Sequence, residues 1–389
     1  MRQLFLAATG QNRGKTTAAL GLLDGFRRRG YRTGFSKPVG QRTLMIDGEP
    51  CDEDADLMRR VFDLPDPFAA MSPIHIPRGF TKRYLAGDIV EDMEAPILAA
   101  QRHFAGHDVW LIEGTGHAGL GAVVALSNAR VASLLRAPAV IISEGGVGRP
   151  IDEIVLNASH FEAHGVPVAG AIVNKIRVDE SPGIERTLER GLALHGIPLL
   201  GVLPYRPILS NPTLDMVLRG VRGRLICEGP DLDRVIDDIA IGAMEPHHML
   251  EHIGPGTLVI VPGDREDAIL TLAAAHVPAT APARVIEHLE ELVDETPGAI
   301  DAGPAGKALG IVLTGGYEPR PEVIKAVRSA NLFAAIVPED TYTVASEVHD
   351  LLVKTHPADT GKIEMIKDLV WEHLHMDRFL DVATEARFD

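Results

Sequence analysis

The segment ATGQNRGKTT, residues Ala8 to Thr17, decides the fold of the first half of the chain. It follows an apolar run, Leu4–Ala8, which predicts a buried strand. It also opens the stretch Thr16–Arg29, where apolar residues recur at helical spacing. A glycine-containing loop between a strand and a helix, ending in Gly-Lys-Thr, is typical of loops that bind phosphate. We therefore predict a phosphate-binding loop at the start of an α/β domain.

The residue types in this loop fit the phosphates of ATP and a magnesium ion. Gly10 and Gly14 allow backbone N–H groups to turn toward phosphate oxygens. We expect the Lys15 ammonium to reach the β- and γ-phosphates and the Thr16 hydroxyl to contact Mg²⁺. The strict motif has glycine where this chain has Thr9, and the alternative is a strand–helix turn that binds nothing. The other residues expected to contact the nucleotide are Asn12, Arg13 and Thr17.

Two acidic positions are candidates for magnesium binding. The predicted strand Val109–Ile112 ends in Glu113, and an acid at the carboxyl end of a parallel strand faces the ligand crevice. The acidic run Asp52–Asp56 contains Asp54 and leads into an apolar helix. The alternatives are a solvated strand end for Glu113 and a favourable interaction with the helix dipole for the acidic run. The residues alone leave both alternatives open.

Two polar residues follow further predicted strands. Lys37 comes after Thr33–Ser36, a strand that we expect close to the first one. With Lys15 it is a candidate catalytic cation that neutralises phosphate or binds an acidic substrate, and the alternative is a surface lysine. Asn174 comes after Val168–Val173. Its amide has a donor and an acceptor that match an adenine edge, and the alternative is a turn residue at a strand end.

Strands and helices alternate along the whole chain, which predicts an α/β fold with a doubly wound parallel sheet. The pattern breaks near residue 215 and restarts. We therefore expect two domains, residues 1–215 and a smaller α/β domain at 216–389, with helices at Pro321–Ser329 and Ile363–His373. The segment 278–307 is rich in Ala, Pro, Gly and Glu. We interpret it as a surface insertion with one short helix, Arg284–Val293.

The composition excludes several function classes. The 389 residues carry a formal net charge of −16, which disfavours a nucleic-acid partner. The chain has no run of about 18 apolar residues, so no membrane span is expected. The first apolar run is too short for a signal peptide, and there are two cysteines, Cys51 and Cys227. These features favour a cytoplasmic protein without disulfides.

Taken together, these segments resemble the dethiobiotin synthetase-like group of P-loop proteins. The resemblance rests on Gly14-Lys15-Thr16, Lys37-Pro38-Val39, Glu113-Gly114-Thr115-Gly116 and Asn174. It implies that Thr16, Glu113 and an acid near Asp54 bind magnesium and that Asn174 contacts adenine. Partitioning ATPases are related proteins with an extra lysine five residues before the loop lysine. This chain has Gly10 at that position, which argues against membership of that group.

The second half resembles a DRTGG domain, on Pro262-Gly263-Asp264-Arg265 and Thr314-Gly315-Gly316. The order of the two domains is similar to that in the N-terminal half of long bacterial phosphotransacetylases. The acetyl-transferring domain of those enzymes has no counterpart in these 389 residues, so acetyl transfer is not expected of them. Cobyrinic acid diamide synthases are also similar, but neither cysteine has the setting of a glutaminase nucleophile.

Two classes of function fit these features. The first is a nucleotide-dependent sensor or regulator, in which ATP binding or slow hydrolysis is coupled to an unknown small-molecule ligand or protein partner of the second domain. The second is an ATP-dependent ligase that activates a substrate carboxylate. We favour the sensor because the second half resembles a regulatory module, and we expect a homo-oligomer. A ligase would turn over ATP only with a specific carboxylate or amine.

The roles of three further features can be predicted from the sequence. Arg265 is either a ligand-binding residue or a brace for its turn. His247 and His248 are neighbours, and neighbouring side chains on a helix diverge, so a two-histidine metal site is not expected. The run Arg27–Arg29 is interpreted as a solvated helix C-terminus, where the dipole favours cations.

Overall fold

The computed structural model describes residues 1–177, 182–277, 283–297, 308–351, 353–385 and 388. They form two compact units: unit 1 is Met1–Arg206 with Thr355–Asp389, and unit 2 is Pro207–Lys354. The expected α/β class is confirmed in both units. Every helix in the described part of the chain is too short or too polar to span a bilayer.

Unit 1 contains a six-stranded sheet with helices around it and two small two-stranded sheets, β3-β6 and β4-β5. The strands of the unit are β1 Arg2–Ala8, β2 Thr33–Ser36, β3 Val39–Gly40, β4 Thr43–Ile46, β5 Glu49–Asp52, β6 Ile74–His75, β7 Val109–Glu113, β8 Ala139–Glu144, β9 Val168–Ile176 and β10 Leu199–Pro204. Its first eight helices are α1 Lys15–Arg28, α2 Glu53–Phe62, α3 Phe68–Met71, α4 Phe80–Leu85, α5 Glu94–Phe104, α6 Asn128–Leu135, α7 Gly148–Glu162 and α8 Ile184–Ala193, with a 3₁₀ turn at Ala122–Val124.

The large sheet is entirely parallel, with the strand order β10-β9-β8-β1-β7-β2. Helices cover both faces of such sheets, which explains why the inner strands read as continuous apolar runs. β7 lies between β1 and β2, so Lys37 follows a strand that is one position removed from the first. The register pairs Leu6 with Glu113, which brings the acid to the edge where the glycine loop begins.

Helix α1 begins directly after the loop because Gly14 adopts a left-handed backbone conformation, φ 93°, that ends the loop. Its apolar residues, Ala18–Leu23 and Phe26, are buried, and Gly30 follows its end with a positive φ. The helix therefore holds the loop lysine at its first position, with its N-terminus at the carboxyl edge of the sheet.

The last helices of the chain, α16 Thr360–His373 and α17 Met376–Glu385, pack in unit 1, although the sequence placed residues 355–389 in the second domain. Gly21 and Gly25 of α1 are four residues apart and share one face. A Cβ at Gly21 would overlap Val370, and one at Gly25 would press on Met376. This close approach explains why the C-terminal helices pack in unit 1, because the two glycines of α1 leave room for the side chains of α16 and α17.

Charged residues reinforce the packing of the returning helices. Arg28 donates to Asp368 at 3.1 Å, Arg29 pairs with Asp377, and both guanidinium groups lie over the Trp371 ring. Arg27, Arg28 and Arg29 are exposed at the end of α1, as expected for a solvated helix C-terminus, and Arg28 and Arg29 in addition contact the C-terminal helices.

Unit 2 contains a five-stranded mixed sheet with the order β11-β15-β14-β13-β12. Only β11 is antiparallel to its neighbour within the described ranges, and the other pairs are parallel. Its strands are β11 Arg224–Cys227, β12 Asp238–Ile241, β13 Thr257–Pro262, β14 Gly310–Thr314 and β15 Phe333–Ile336. Its helices are α9 Pro207–Ser210, α10 Leu214–Gly220, α11 Pro246–Leu250, α12 Glu266–His276, α13 Ala283–Glu295, α14 Pro321–Ser329 and α15 Thr341–His349.

The segment interpreted as a surface insertion contributes to the core of unit 2. Its helix α13 buries Leu289, Leu292 and Val293 in the same apolar cluster as α12 and α14. The apolar residues at three- and four-residue spacing form the stripe that faces this cluster. The flanking parts of the insertion, 278–282 and 298–307, lie outside the described residues.

Candidate functional site

The glycine loop has a backbone shape that requires glycine at its end. Gly14 has φ 93°, and a Cβ there would overlap the side-chain amide of Asn174. Asn12 is also left-handed, with φ 59°, and is exposed. Such successive turns direct backbone N–H groups into one concavity, which is the geometry that holds phosphate oxygens. Gly10 and Thr17, also expected to contact nucleotide, border the same loop and the first turn of α1.

Lys15 and Thr16 occupy the first two positions of α1. Lys15 is 9% exposed, and burial lowers the pKa of its ammonium group, while the Glu113 carboxylate opposes that shift. The Thr16 hydroxyl donates to Glu113 Oε1 at 3.1 Å. The structure therefore brings the predicted phosphate lysine and two of the three predicted magnesium ligands, Thr16 and Glu113, into one place.

Glu113 is buried, at 1% exposure. Its Oε2 atom has no hydrogen-bond partner among the described residues. Burial raises the pKa of this carboxyl group to about 8, with a further contribution from Asp54, while Lys37 and Lys15 act in the opposite direction. The alternative of a solvated strand end is therefore wrong. A buried carboxylate oxygen beside a hydroxyl suits a hard cation such as Mg²⁺, which prefers oxygen ligands.

Lys37 lies deep in the same cluster. Its Nζ atom is 3.1 Å from Asp52 Oδ1 and also pairs with Asp54. Burial alone would lower the pKa of Lys37, but the carboxylates of Asp54, Glu113 and Asp52 outweigh it, and the pKa is raised. Lys37 is 8% exposed, so the alternative of a surface lysine is wrong.

Asp52 is a site residue that the sequence did not single out. It caps α2 by accepting from the Asp54 backbone N–H at 3.1 Å, and its side chain is fully buried. The acidic run therefore has two roles: Asp52 starts the helix as expected from capping, and Asp54 reaches Lys37. A signal for it existed in the sequence, because an acid before a helix is a frequent N-cap.

Asn174 lies inside β9 and contacts the loop. Its Nδ2 donates to the Arg13 carbonyl at 3.1 Å, and its Oδ1 accepts from the Lys175 backbone N–H at 2.8 Å. The amide is therefore within the loop's own hydrogen-bond network. The contact between Asn174 and adenine stays a prediction.

Glu144, at the end of β8, holds the outer part of the loop and was missed by the sequence reasoning. It pairs with Arg13, and its Oε2 is 2.7 Å from Lys175 Nζ. Lys175 also donates to the Asn12 carbonyl at 3.1 Å. These contacts join the loop to the strands β8 and β9, and no local motif in the sequence identifies Arg13, Glu144 and Lys175 as partners.

Thr9, which replaces the glycine of the strict motif, has a defined role. Its hydroxyl is 3.0 Å from Ser143 Oγ and donates to Glu153 Oε2 at 2.8 Å. Glu153 belongs to α7 and also accepts from Arg149 at 2.7 Å. The departure from the motif thus connects the start of the loop to a neighbouring strand and helix.

The two DRTGG pieces of unit 2 meet at one edge of its sheet. The Gly263 N–H donates to the Thr314 carbonyl at 3.0 Å, and Gly263 lies so close to the Tyr317 carbonyl that a side chain would overlap it. Arg265 donates through two nitrogens to Asp267, at 2.9 Å each, and to the Met244 carbonyl at 3.2 Å. These contacts are those of a brace.

Comparison with known proteins gives matches over almost the whole chain. The family model described as AAA domain matches residues 2–213, and the one described as DRTGG domain matches residues 216–351. A phosphate acetyltransferase of Nitrosomonas europaea is 24% identical over 391 residues, which are 97% of this chain and 51% of that protein. The phosphate acetyltransferase of Pseudomonas putida is 28% identical over 388 residues, 96% of this chain and 51% of the relative.

Among solved structures, the MinC:MinD cell division protein complex of Aquifex aeolicus is 13% identical with a TM-score of 0.34, over 54% of this chain and 84% of that chain. The chain spans about half the length of the curated relatives it matches. The predicted resemblance to long phosphotransacetylases is thereby confirmed. Because the AAA domain model matches more than half of its residues, the chain belongs to the AAA domain family, with a DRTGG domain following that match.

Proposed function

We propose that unit 1 binds ATP with magnesium and that the protein is a nucleotide-dependent sensor or regulator. One observation carries the nucleotide part of the proposal. A buried carboxylate, Glu113, contacts the Thr16 hydroxyl through one oxygen, and its other oxygen is without a hydrogen-bond partner in the described structure. Burying such a group is costly unless a ligand completes it.

The residues divide into two sets by the charge that they would meet. The loop N–H groups, the α1 N-terminus and Lys15 suit phosphate. Thr16, Glu113 and Asp54 suit magnesium, which would supply positive charge to the β- and γ-phosphates. Lys37 holds Asp54 in place and would lose this partner if Asp54 turned toward the metal. The charges of the site are therefore matched to a nucleotide with its cation.

The test of nucleotide binding is calorimetry with Mg·ATP on the wild-type chain and on Lys15→Ala. We expect saturable binding to the wild type and at least a hundredfold loss in the variant, since a cation on the phosphates is removed from a buried site. Lys82→Ala is the matched control, because Lys82 is exposed on α4. Equal affinity of the Lys15 variant and the wild type would refute the phosphate-loop function.

The regulatory part of the proposal rests on the domain order. A DRTGG domain follows the AAA domain, and the relatives that share both are phosphate acetyltransferases about twice as long. We expect Mg·ATP to change the oligomeric mass or the binding of a small-molecule or protein partner. Light scattering with and without Mg·ATP measures the first effect, and the same assay tests the proposed homo-oligomer. The cytoplasm, which supplies ATP and keeps thiols reduced, is the proposed location, in keeping with the free thiols of Cys51 and Cys227.

The alternative is an ATP-dependent ligase of the dethiobiotin or cobyrinic acid diamide synthase type. The observation that favours it is the position of Lys37, a buried cation beside the phosphate loop that could bind a substrate carboxylate once Asp54 is engaged by metal. ATP turnover that depends on one carboxylate or amine in a metabolite screen would identify the ligase. A sensor would show no such dependence.

A further inference from the structure

A second set of metal-binding side chains lies in unit 2, after strand β12. Glu245 precedes helix α11, and His247 and His248 belong to its first turn. The two imidazole rings have centroids 3.8 Å apart, and His247 Nδ1 is 3.8 Å from Glu245 Oε2. One ligand atom from each of the three residues lies within 4.8 Å of the other two. The expectation that neighbouring histidines diverge is therefore wrong here.

The backbone that carries these side chains is firmly anchored. Pro246 and Met249 of the same turn are buried, and Met249 contributes to the core of unit 2. Arg265 donates to the carbonyl of Met244, the residue before Glu245, at 3.2 Å. The three polar side chains are nevertheless exposed to solvent. A fixed turn thus presents two imidazoles and a carboxylate to ions in solution.

The chemistry of these ligands selects a class of metal ion. Two histidines and a glutamate are a ligand set found on Zn²⁺, with a fourth position left for water. With Zn–N bonds of about 2.0–2.1 Å, neighbouring ligand atoms on one tetrahedral ion lie about 3.3 Å apart, so binding requires the three exposed side chains to move closer together. Mg²⁺ prefers oxygen ligands and is disfavoured by imidazole, which separates this position from the cluster around Glu113.

We propose that Glu245, His247 and His248 form a binding site for one divalent transition-metal ion, with Zn²⁺ as the fitting ion. The ligands are side chains of one turn, so the site forms within a single chain. It goes beyond the proposed nucleotide function and does not depend on it, because all three ligands belong to unit 2. It gives the second unit a defined class of ligand.

The experiment measures Zn²⁺ affinity by competition with a chromophoric chelator on metal-free protein. We expect one ion per chain at this site and at least tenfold weaker binding in His247→Ala and in His248→Ala, as is usual when metal coordination is disturbed. Excess Mg²⁺ should leave the affinity unchanged, and Lys15→Ala should bind Zn²⁺ like the wild type. Affinity should fall as the pH is lowered, because protons compete for the imidazole nitrogens.

The matched control is His252→Ala, which removes an exposed histidine of the same segment that lies outside the three-residue set. It should retain wild-type Zn²⁺ affinity. The site assignment is overturned if His252→Ala weakens binding as much as His248→Ala, or if the His247 and His248 variants bind like the wild type. Unchanged melting temperatures of the metal-free variants establish that the fold is intact, and Co²⁺ absorption spectra report whether imidazole coordinates the ion in each variant.

Discussion

In both units the sequence motifs lie at the carboxyl ends of parallel strands, but the motif residues Glu113 and Arg265 differ in how their polar atoms are satisfied. In unit 1, Lys15 and Glu113 are buried, and an oxygen of Glu113 has no hydrogen-bond partner in the described ranges. In unit 2, Arg265 is paired with Asp267 and a backbone carbonyl, and Gly263 is closed off by Tyr317. A buried ionisable group with an unsatisfied oxygen indicates a ligand, whereas a charge that is satisfied in a pair indicates a brace.

The largest expected effect concerns Gly14, at the end of the glycine loop of unit 1. Gly14→Ala places a Cβ on a left-handed residue and against the Asn174 amide. We expect a loss of about 2–4 kcal/mol in the free energy of unfolding, from backbone strain and overpacking, together with loss of Mg·ATP binding. Urea unfolding and calorimetry measure the two effects. Gly10→Ala is the control for stability, because its φ is not in the left-handed region and a Cβ there would meet only the Arg13 side chain, at 3.3 Å. A Gly14 variant as stable as the Gly10 variant would contradict the prediction.

The next effect tests how closely helix α16 packs on helix α1 in unit 1. Gly21→Val forces a branched side chain against Val370 of α16, and we expect a loss of about 1–3 kcal/mol in the free energy of unfolding. The control is Gly361→Ala on α16, where nothing lies within 4 Å of the added Cβ. A helical glycine replaced by alanine in open space is stabilising by up to about 1 kcal/mol. Urea unfolding should therefore give opposite signs for the two variants, and a Gly21→Val variant as stable as the wild type would show that α16 does not pack closely on α1.

A smaller effect probes the edge of unit 2. Arg265→Ala removes a two-nitrogen contact with Asp267 and a bond to the Met244 carbonyl, so we expect a loss of about 1–2 kcal/mol in the free energy of unfolding with Mg·ATP affinity unchanged. The control is Arg219→Ala, which breaks an exposed pair with Asp215 on α10 and should cost less than about 0.5 kcal/mol. A normal melting temperature for Arg265→Ala with an altered oligomeric mass would make Arg265 an interface residue instead.

Local patterns predicted much of this structure, because they report on contacts between residues near in sequence. The bounds of Pro321–Ser329 were predicted as observed, and the strand–loop–helix around Lys15 was placed correctly. Patterns of this kind show that a helix has an apolar face, but they do not show which other helices or strands that apolar face packs against. For this reason the return of residues 355–389 to unit 1, and the burial of α13 in unit 2, could not be predicted.

The same limit applies to the candidate site. Glu113, Thr16 and Lys15 were predictable because each ends or begins an element at one edge of a parallel sheet. The pairing of Lys37 with Asp52 and Asp54, and of Arg13 with Glu144, joins residues that are distant along the chain. Residue types alone cannot distinguish such a paired charge from a free one. For this reason the sequence did not decide whether Lys37 is a surface residue or a residue of the site.

The smallest expected effect concerns the predicted contact between Asn174 of unit 1 and the base of the nucleotide. Asn174 donates one N–H to the Arg13 carbonyl and accepts one bond from the Lys175 N–H. A side-chain amide has two N–H donors and two acceptor lone pairs, so one of each is left for an adenine edge. We expect the wild type to prefer ATP over GTP, and Asn174→Ala to lower that preference by about two- to tenfold, the value of one neutral hydrogen bond. Calorimetry with both nucleotides measures it. Lys175→Ala removes a loop brace without touching the amide, and should weaken both nucleotides equally. If Asn174→Ala also weakens both equally, its amide braces the loop and does not discriminate between the bases.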